Sequence, residues 1–125
     1  MIGAAGTREV QRRLMPKEIP ALAGYEFSAG SRPARVLGGD YYDVFYRGGN
    51  TIGLCIADVS GKGIPAALLM ANLQATVQSV ASEEPLPCRF ARRVNLAVRR
   101  NVSLGRFVTL FYCLLDTANH RLSYV

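Results

Sequence analysis

Cysteine and histidine are scarce in this sequence, with three cysteines and one histidine in 125 residues. Cys55, Cys88 and Cys113 are odd in number, widely spaced and form no CxxC pair, which argues against a disulfide framework or a zinc site. No apolar run approaches the roughly 20 residues that cross a bilayer, and the N-terminus has no signal-peptide pattern. We therefore expect reduced cysteines, a cytoplasmic location and no membrane segment in this stretch.

Acidic residues are outnumbered, with 15 Lys and Arg against 9 Asp and Glu and a net charge of +6. Part of the excess lies in one segment whose arginines share one side of a predicted helix, opposite Phe90, Val94 and Ala97. These arginines are Arg89, Arg92, Arg93, Arg99 and Arg100. A solvated helix face explains the pattern, and an acidic partner is the alternative. A nucleic-acid surface would need aromatic residues among the arginines, so we expect no nucleic-acid partner.

The order of predicted elements indicates the fold class. A short helix from Thr7 to Met15, stopped by Pro16, is expected within a linker formed by residues 1–20, and residues 21–125 are expected to form the domain. The remaining elements are strands at Tyr25–Ser31, Asp40–Arg47 and Thr51–Val59, two helices reaching about Ser82 and about Val102, and strands at Phe107–Asp116 and Leu122–Val125. This order predicts an α+β fold with antiparallel strands and with helices covering one side.

Two aspartates at strand ends are the candidate site. Asp40 begins one predicted strand and Asp58 ends the next, so an antiparallel hairpin brings them side by side. Adjacent carboxylates repel each other unless a cation lies between them, and oxygen ligands suit Mg²⁺ or Mn²⁺. The alternative is that each aspartate only caps backbone N–H groups in a glycine-rich turn. A phosphate-binding loop at Ser60–Gly63 is a weaker alternative, because the full P-loop spacing is absent.

Three segments in register resemble the bacterial branch of the PPM (type 2C) phosphatases, the group that includes SpoIIE. They are RPARVLGGDYYDVF, IADVSGKGIPAALLMANLQA and FVTLFYCLLD. The resemblance implies a sandwich of two antiparallel β-sheets flanked by helices and a centre of two Mn²⁺ or Mg²⁺ ions. It implies a protein serine/threonine phosphatase acting on a phosphorylated regulatory protein, an anti-sigma-factor antagonist, under the control of an upstream sensor module.

The same resemblance assigns roles to individual residues. Asp40 and Asp58 match the two bridging, catalytic aspartates, and Val59 matches the position that offers a backbone carbonyl to one metal. Arg35 has the spacing of an arginine that holds phosphate in some members, and an exposed loop charge is the alternative. Asp43 should point away from Asp40 in a regular strand, so we expect it to support the site from behind or to pair with an arginine.

The chain departs from the family pattern at its C-terminus. The family continues through an Asn-Ala-Gly-His turn and further metal-binding aspartates, and none follows Val125, so we expect an incomplete domain. Two divalent ions bring more positive charge than Asp40 and Asp58 neutralise, which predicts weak metal binding and little turnover by this chain alone. A catalytically incompetent module that binds or scaffolds is the competing function. Open sheet edges predict self-association.

Overall fold

The computed structural model describes residues 4–32 and 37–125. The elements are α1 Ala4–Arg12, β1 Asp40–Tyr46, β2 Thr51–Val59, α2 Gly63–Glu83, α3 Pro87–Val98, β3 Val108–Asp116 and β4 Arg121–Tyr124. The strands form one four-stranded sheet in the order β1-β2-β3-β4, and every neighbouring pair is antiparallel. The predicted α+β class is therefore confirmed.

The β1–β2 hairpin sets the position of both candidate aspartates. Its turn contains Gly48 and Gly49 with φ of 92° and 56°, a left-handed backbone that glycine adopts without steric cost. The short turn fixes the register of the strands, which pairs Tyr46 with Ile52 at the turn and Asp40 with Asp58 at the far end. Both aspartates therefore lie at the same end of the sheet.

The core lies between one face of the sheet and helices α2 and α3. Small residues of β2, Cys55 and Ala57, face the helices together with Tyr41 and Tyr112, and all four are buried. Phe90 of α3 stacks on Tyr112 with ring centroids 3.6 Å apart. The small side chains of β2 thus let α2 and α3 pack closely against the sheet.

Helix α2 corrects the expectation that no apolar segment approaches the length needed to cross a bilayer. Its 21 residues, Gly63–Glu83, are long and apolar enough to cross a bilayer by length and composition. Its buried residues nevertheless lie in the core of the domain: Ala66, Leu69, Met70, Leu73, Val77, Val80 and Ala81. Burial against the sheet is the pattern of a core helix, and the expectation that this segment contacts no membrane stays a prediction.

The second face of the sheet is only partly covered. Val44, Ile52 and Cys113 are buried there, whereas Ile56 is 61% exposed and Phe111 43% exposed. Within residues 4–32 and 37–125 the strands form a single sheet, so these residues do not build the two-sheet sandwich that the resemblance implies. The exposed apolar side chains lie on the face of the sheet opposite α2 and α3.

The N-terminal region differs from its prediction. The expected strand at Tyr25–Ser31 does not form, and an isolated bridge between Leu22 and Tyr25 is its remaining strand-like feature. The alternation of its side chains reflects contacts of an extended segment: Tyr25 stacks on Phe27, and its hydroxyl contacts Nδ1 of His120. Among the described residues helix α1 spans Ala4–Arg12, so it already includes Thr7, where the predicted helix begins, and it ends before Pro16. The domain boundary after residue 20 stays a prediction.

Candidate metal centre

Asp40 and Asp58 are direct cross-strand partners on β1 and β2. The next pair along, Gly39 and Val59, is hydrogen-bonded, since the Val59 N–H donates to the Gly39 carbonyl at 3.1 Å. Hydrogen-bonded and non-hydrogen-bonded pairs alternate in an antiparallel ladder, so Asp40 and Asp58 form the closer, non-hydrogen-bonded kind. Both side chains are exposed on the face of the sheet opposite α2 and α3. The predicted convergence of the two carboxylates is thus what the structure shows.

Burial and the neighbouring carboxyl group both disfavour a negative charge on Asp40. Desolvation raises the pKa of Asp40 above its usual value, and the charge of Asp58 and a side-chain hydrogen bond with Asp58 raise it further. A raised pKa means that the ionised form of Asp40 is unfavourable here, through burial first and through the charge of Asp58 second. A divalent cation would remove that cost, because it attracts both carboxylates at once. The donor set therefore fits a hard cation that takes oxygen ligands.

Gly39 permits the close approach of Val59 to the start of β1. A Cβ on Gly39 would lie 2.9 Å from the Val59 Cβ and closer still to the Val59 carbonyl oxygen, so a side chain here would force the strands apart. The Val59 carbonyl consequently lies next to the residue that precedes Asp40. This location is compatible with its predicted role as a backbone metal ligand, and the role itself stays a prediction.

Thr109 lies in line with Asp40 and Asp58 and was not predicted from the sequence as a site residue. It pairs with Asp58 across β2 and β3, and its exposed hydroxyl donates to the Asp58 carbonyl at 3.5 Å. Asp40, Asp58 and Thr109 line a cleft of about 510 Å³ together with Ile56 and Phe111. Among the described residues, no group of three or more His, Cys, Asp or Glu side chains could hold a metal. Within residues 4–32 and 37–125, the site thus has two carboxylates.

Asp43 lies on the opposite face of β1 and is 4% exposed. It accepts hydrogen bonds from the Tyr41 hydroxyl at 2.6 Å and from Gln78 Nε2 of α2 at 3.2 Å. Burial and this carboxylate raise the pKa of Tyr41, and burial followed by Asp43 raises the pKa of Cys55 to about 12. The prediction that Asp43 points away from Asp40 is confirmed. The alternative that it pairs with an arginine is wrong for the part of the chain described, where its partners are a tyrosine and a glutamine.

The loop after β2 is held against the start of β3. The Ser60 N–H donates to the Phe107 carbonyl at 2.9 Å, and the Ser60 hydroxyl accepts from the Phe107 N–H at 2.7 Å. The Arg106 guanidinium covers Gly61 and donates to the Ser60 carbonyl at 3.4 Å. Lys62 is exposed at the N-terminus of α2 and makes no capping contact through its side chain. This loop therefore fixes the end of β2 on which Asp58 lies.

Positive charge lies next to Asp40 in a second cleft that the sequence did not predict. The predicted phosphate-binding residue, Arg35, lies outside the described residues, so its prediction is not tested. Arg32 does line the cleft, together with Asp40, Tyr42 and residues of α1. The spacing of Arg8 and Arg12, four residues apart on a helix, was the signal available in the sequence. Its location beside the aspartates depends on how α1 packs, which a local pattern does not encode.

Similar sequences occur in a known protein family and in individual proteins from other organisms. The sequence model of the family described as Stage II sporulation protein E (SpoIIE) matches residues 48–125, a range that includes Asp58. The chain is 34% identical to "Phosphoserine phosphatase RsbU" of Bacillus subtilis (strain 168), over 92% of this chain and 34% of that protein. It is 26% identical to "Protein IcfG" of Synechocystis sp., over 94% of this chain and 23% of that protein. The chain thus spans about a third or less of the length of these relatives.

Proposed function

Because this chain belongs to the SpoIIE family of proteins, we propose that it is part of a metal-dependent serine/threonine phosphatase of the PPM type. The observation that carries the proposal is the direct pairing of Asp40 with Asp58 at one end of the sheet. Family membership alone would leave the chemistry open, and paired carboxylates alone would leave the reaction open. Together they support hydrolysis of a phosphate ester assisted by divalent ions.

Asp40 and Asp58 would hold Mn²⁺ or Mg²⁺ between them, and the Val59 carbonyl would add a neutral oxygen. Two such ions, when bound, supply Lewis acidity and an activated water for in-line attack on phosphorus. The protein would then have two roles. It holds the two carboxylates in place through the β1–β2 register, and it binds the phosphate beside them. Arg35 is our proposed contact for that phosphate, and Asp43 supports β1 from the core side through Tyr41 and Gln78.

The proposed substrate is phosphoserine on a regulatory protein. RsbU, to which the chain is similar, is named a phosphoserine phosphatase. By the resemblance to its branch of the family, we propose that the substrate is an anti-sigma-factor antagonist, that a sensor module acts upstream, and that the protein works in the cytoplasm. A second β-sheet, packed on the exposed face around Ile56 and Phe111, would complete the sandwich and supply further acidic ligands.

A binding or scaffolding function is the second candidate. The observation that favours it is that the described residues provide only a pair of carboxylates and no larger group able to hold a metal. In that case the chain would recognise a phosphorylated partner without hydrolysing it. The two functions differ in one readout, which is the release of inorganic phosphate.

Phosphate release from a phosphoserine peptide with and without Mn²⁺ tests the proposal. The assay compares the 125-residue chain with the longest protein that its gene encodes. We expect Mn²⁺-dependent release by the longer protein, loss of it in Asp58→Asn, and normal release in the surface control Arg89→Gln. Phosphopeptide binding without release by the longer protein would support the scaffold instead. Release that persists in Asp58→Asn would contradict the assignment of the site.

A further inference from the structure

Five cationic side chains surround the cleft beside Asp40. The cleft has a volume of about 820 Å³ and is bordered by α1, by residues 30–32 and by the start of β1. Its cations are Arg8, Arg12, Arg13, Lys17 and Arg32. All five are exposed, and the acidic side chains that line the cleft are Glu9 and Asp40. The cleft is therefore positive overall, although Asp40, a carboxylate of the candidate metal centre, is among its lining residues.

Helix α1 is attached close to that centre. Gln11 is buried, its side-chain amide donates to the Gly38 carbonyl, and its side-chain oxygen accepts from the Gly38 N–H at 3.2 Å. Gly38 is separated from Asp40 by one residue, so this two-way contact sets the distance between the cations of α1 and the aspartate. The contact between Gln11 and Gly38 thus holds the cations of α1 near Asp40.

Most of this positive charge has no partner within the described part of the chain. Arg13 forms an exposed ion pair with Glu9 at 3.3 Å, one helical turn away. Arg8, Arg12, Lys17 and Arg32 form no ion pair with another described residue. Unpaired cations that line one concave surface attract an anionic ligand and orient it on approach.

We propose that this basic cleft binds an acidic segment of the phosphoprotein substrate, next to the phosphoserine that reaches Asp40 and Asp58. The inference rests on the proposed phosphatase function and adds to it a preference for acidic residues near the phosphorylated serine. The volume accommodates several side chains, in the range of ordinary ligand clefts. A nucleic acid fits less well, because Tyr42 is the one aromatic residue among those lining the cleft and stacking of bases needs more than one.

Peptide binding measured by fluorescence anisotropy in EDTA tests the cleft without turnover. Two phosphoserine peptides of equal length are compared, one with aspartates near the phosphoserine and one with serines in their place. The double variant Arg12→Glu/Arg32→Glu reverses charge in the cleft. The control Arg89→Glu/Arg92→Glu makes the same change in net charge on α3, outside the cleft. The conservative variant Arg12→Lys/Arg32→Lys keeps the charge, and circular dichroism checks that each variant folds.

We expect the acidic peptide to bind at least about tenfold more tightly than the neutral one at low salt, with the difference shrinking as salt rises. Charge reversal in the cleft should remove the difference, while the α3 control and the lysine variant keep it. Equal affinity for both peptides, or equal loss in the α3 control, would overturn the proposal. So would tighter binding of single-stranded DNA of equal charge. Peptide binding is measured in EDTA, without turnover. A negative binding result would therefore not contradict the phosphatase proposal, and an absence of phosphate release would not contradict peptide binding in the cleft.

Discussion

Neutralising one of the paired carboxylates should stabilise the metal-free chain. In a non-hydrogen-bonded antiparallel pair the Cα atoms of Asp40 and Asp58 lie about 4.5 Å apart. The Cβ atoms of directly opposite residues lie about 4.5–5.5 Å apart, and two unit charges at about that separation repel by about 1 kcal/mol in a water-like dielectric. Both side chains are exposed, and discounting for solvent screening leaves about 0.5–1 kcal/mol. Asp58→Asn should therefore raise the free energy of unfolding by this amount, which corresponds to about 2–5 °C in melting temperature.

Urea denaturation in EDTA at pH 7 and at pH 3 measures this effect. The pKa of Asp40 is raised in the folded state, so the stability that its protonation provides is present below the unfolded pKa of about 3.9 and is lost as pH rises through the folded pKa. The difference in free energy of unfolding between Asp58→Asn and the wild type should thus be largest at pH 7 and should disappear at pH 3. The control Glu26→Gln removes an exposed acid elsewhere. Equal or lower stability of Asp58→Asn at pH 7 would refute the repulsion.

Three further predictions concern packing, the core and association. Gly39→Ala should destabilise the chain by about 1–3 kcal/mol in urea, because its Cβ would collide with Val59, whereas Gly30→Ala, with open space around it, should cost much less. Asp43→Ala should cost about 1–3 kcal/mol by the same assay, since it leaves the two donors to this carboxylate unpaired, and a neutral effect would show that water replaces it. Light scattering should show self-association that rises with concentration and weakens in Phe111→Ser, and a monomer at every concentration would contradict this.

The elements whose signals are local were predicted well. Strand β2 has the predicted bounds, Thr51–Val59, because alternation of side chains and the glycine turn before it define both ends. The pairing of Asp40 with Asp58 could also be predicted, since a short hairpin turn fixes the register over its whole length. Helix α2 extends one or two residues beyond its predicted range at either end.

Features that depend on contacts between distant segments could not be predicted. The alternation at Tyr25–Ser31 indicated a strand, but a strand also needs a partner with free backbone groups, and this segment has only an isolated bridge. Thr109 lies at the site because β2 pairs with β3. Two helices separate these strands in the sequence, so no local pattern indicates the pairing. The basic cleft depends on the contact of Gln11 with Gly38. Each case needs the three-dimensional arrangement and not a local pattern.

The shared cation site formed by Asp40 and Asp58 is the central claim, and calorimetric titration with Mn²⁺ tests it most directly. Titrations of the wild type, Asp40→Asn, Asp58→Asn and the control Glu26→Gln at pH 7 compare the four proteins under one condition. We predict weak binding to the wild type and the control, and no binding to either aspartate variant, because one carboxylate does not hold the ion. Unchanged binding in both variants would contradict the shared site, and tight binding of two Mn²⁺ ions per chain would contradict a site made of only two described carboxylates.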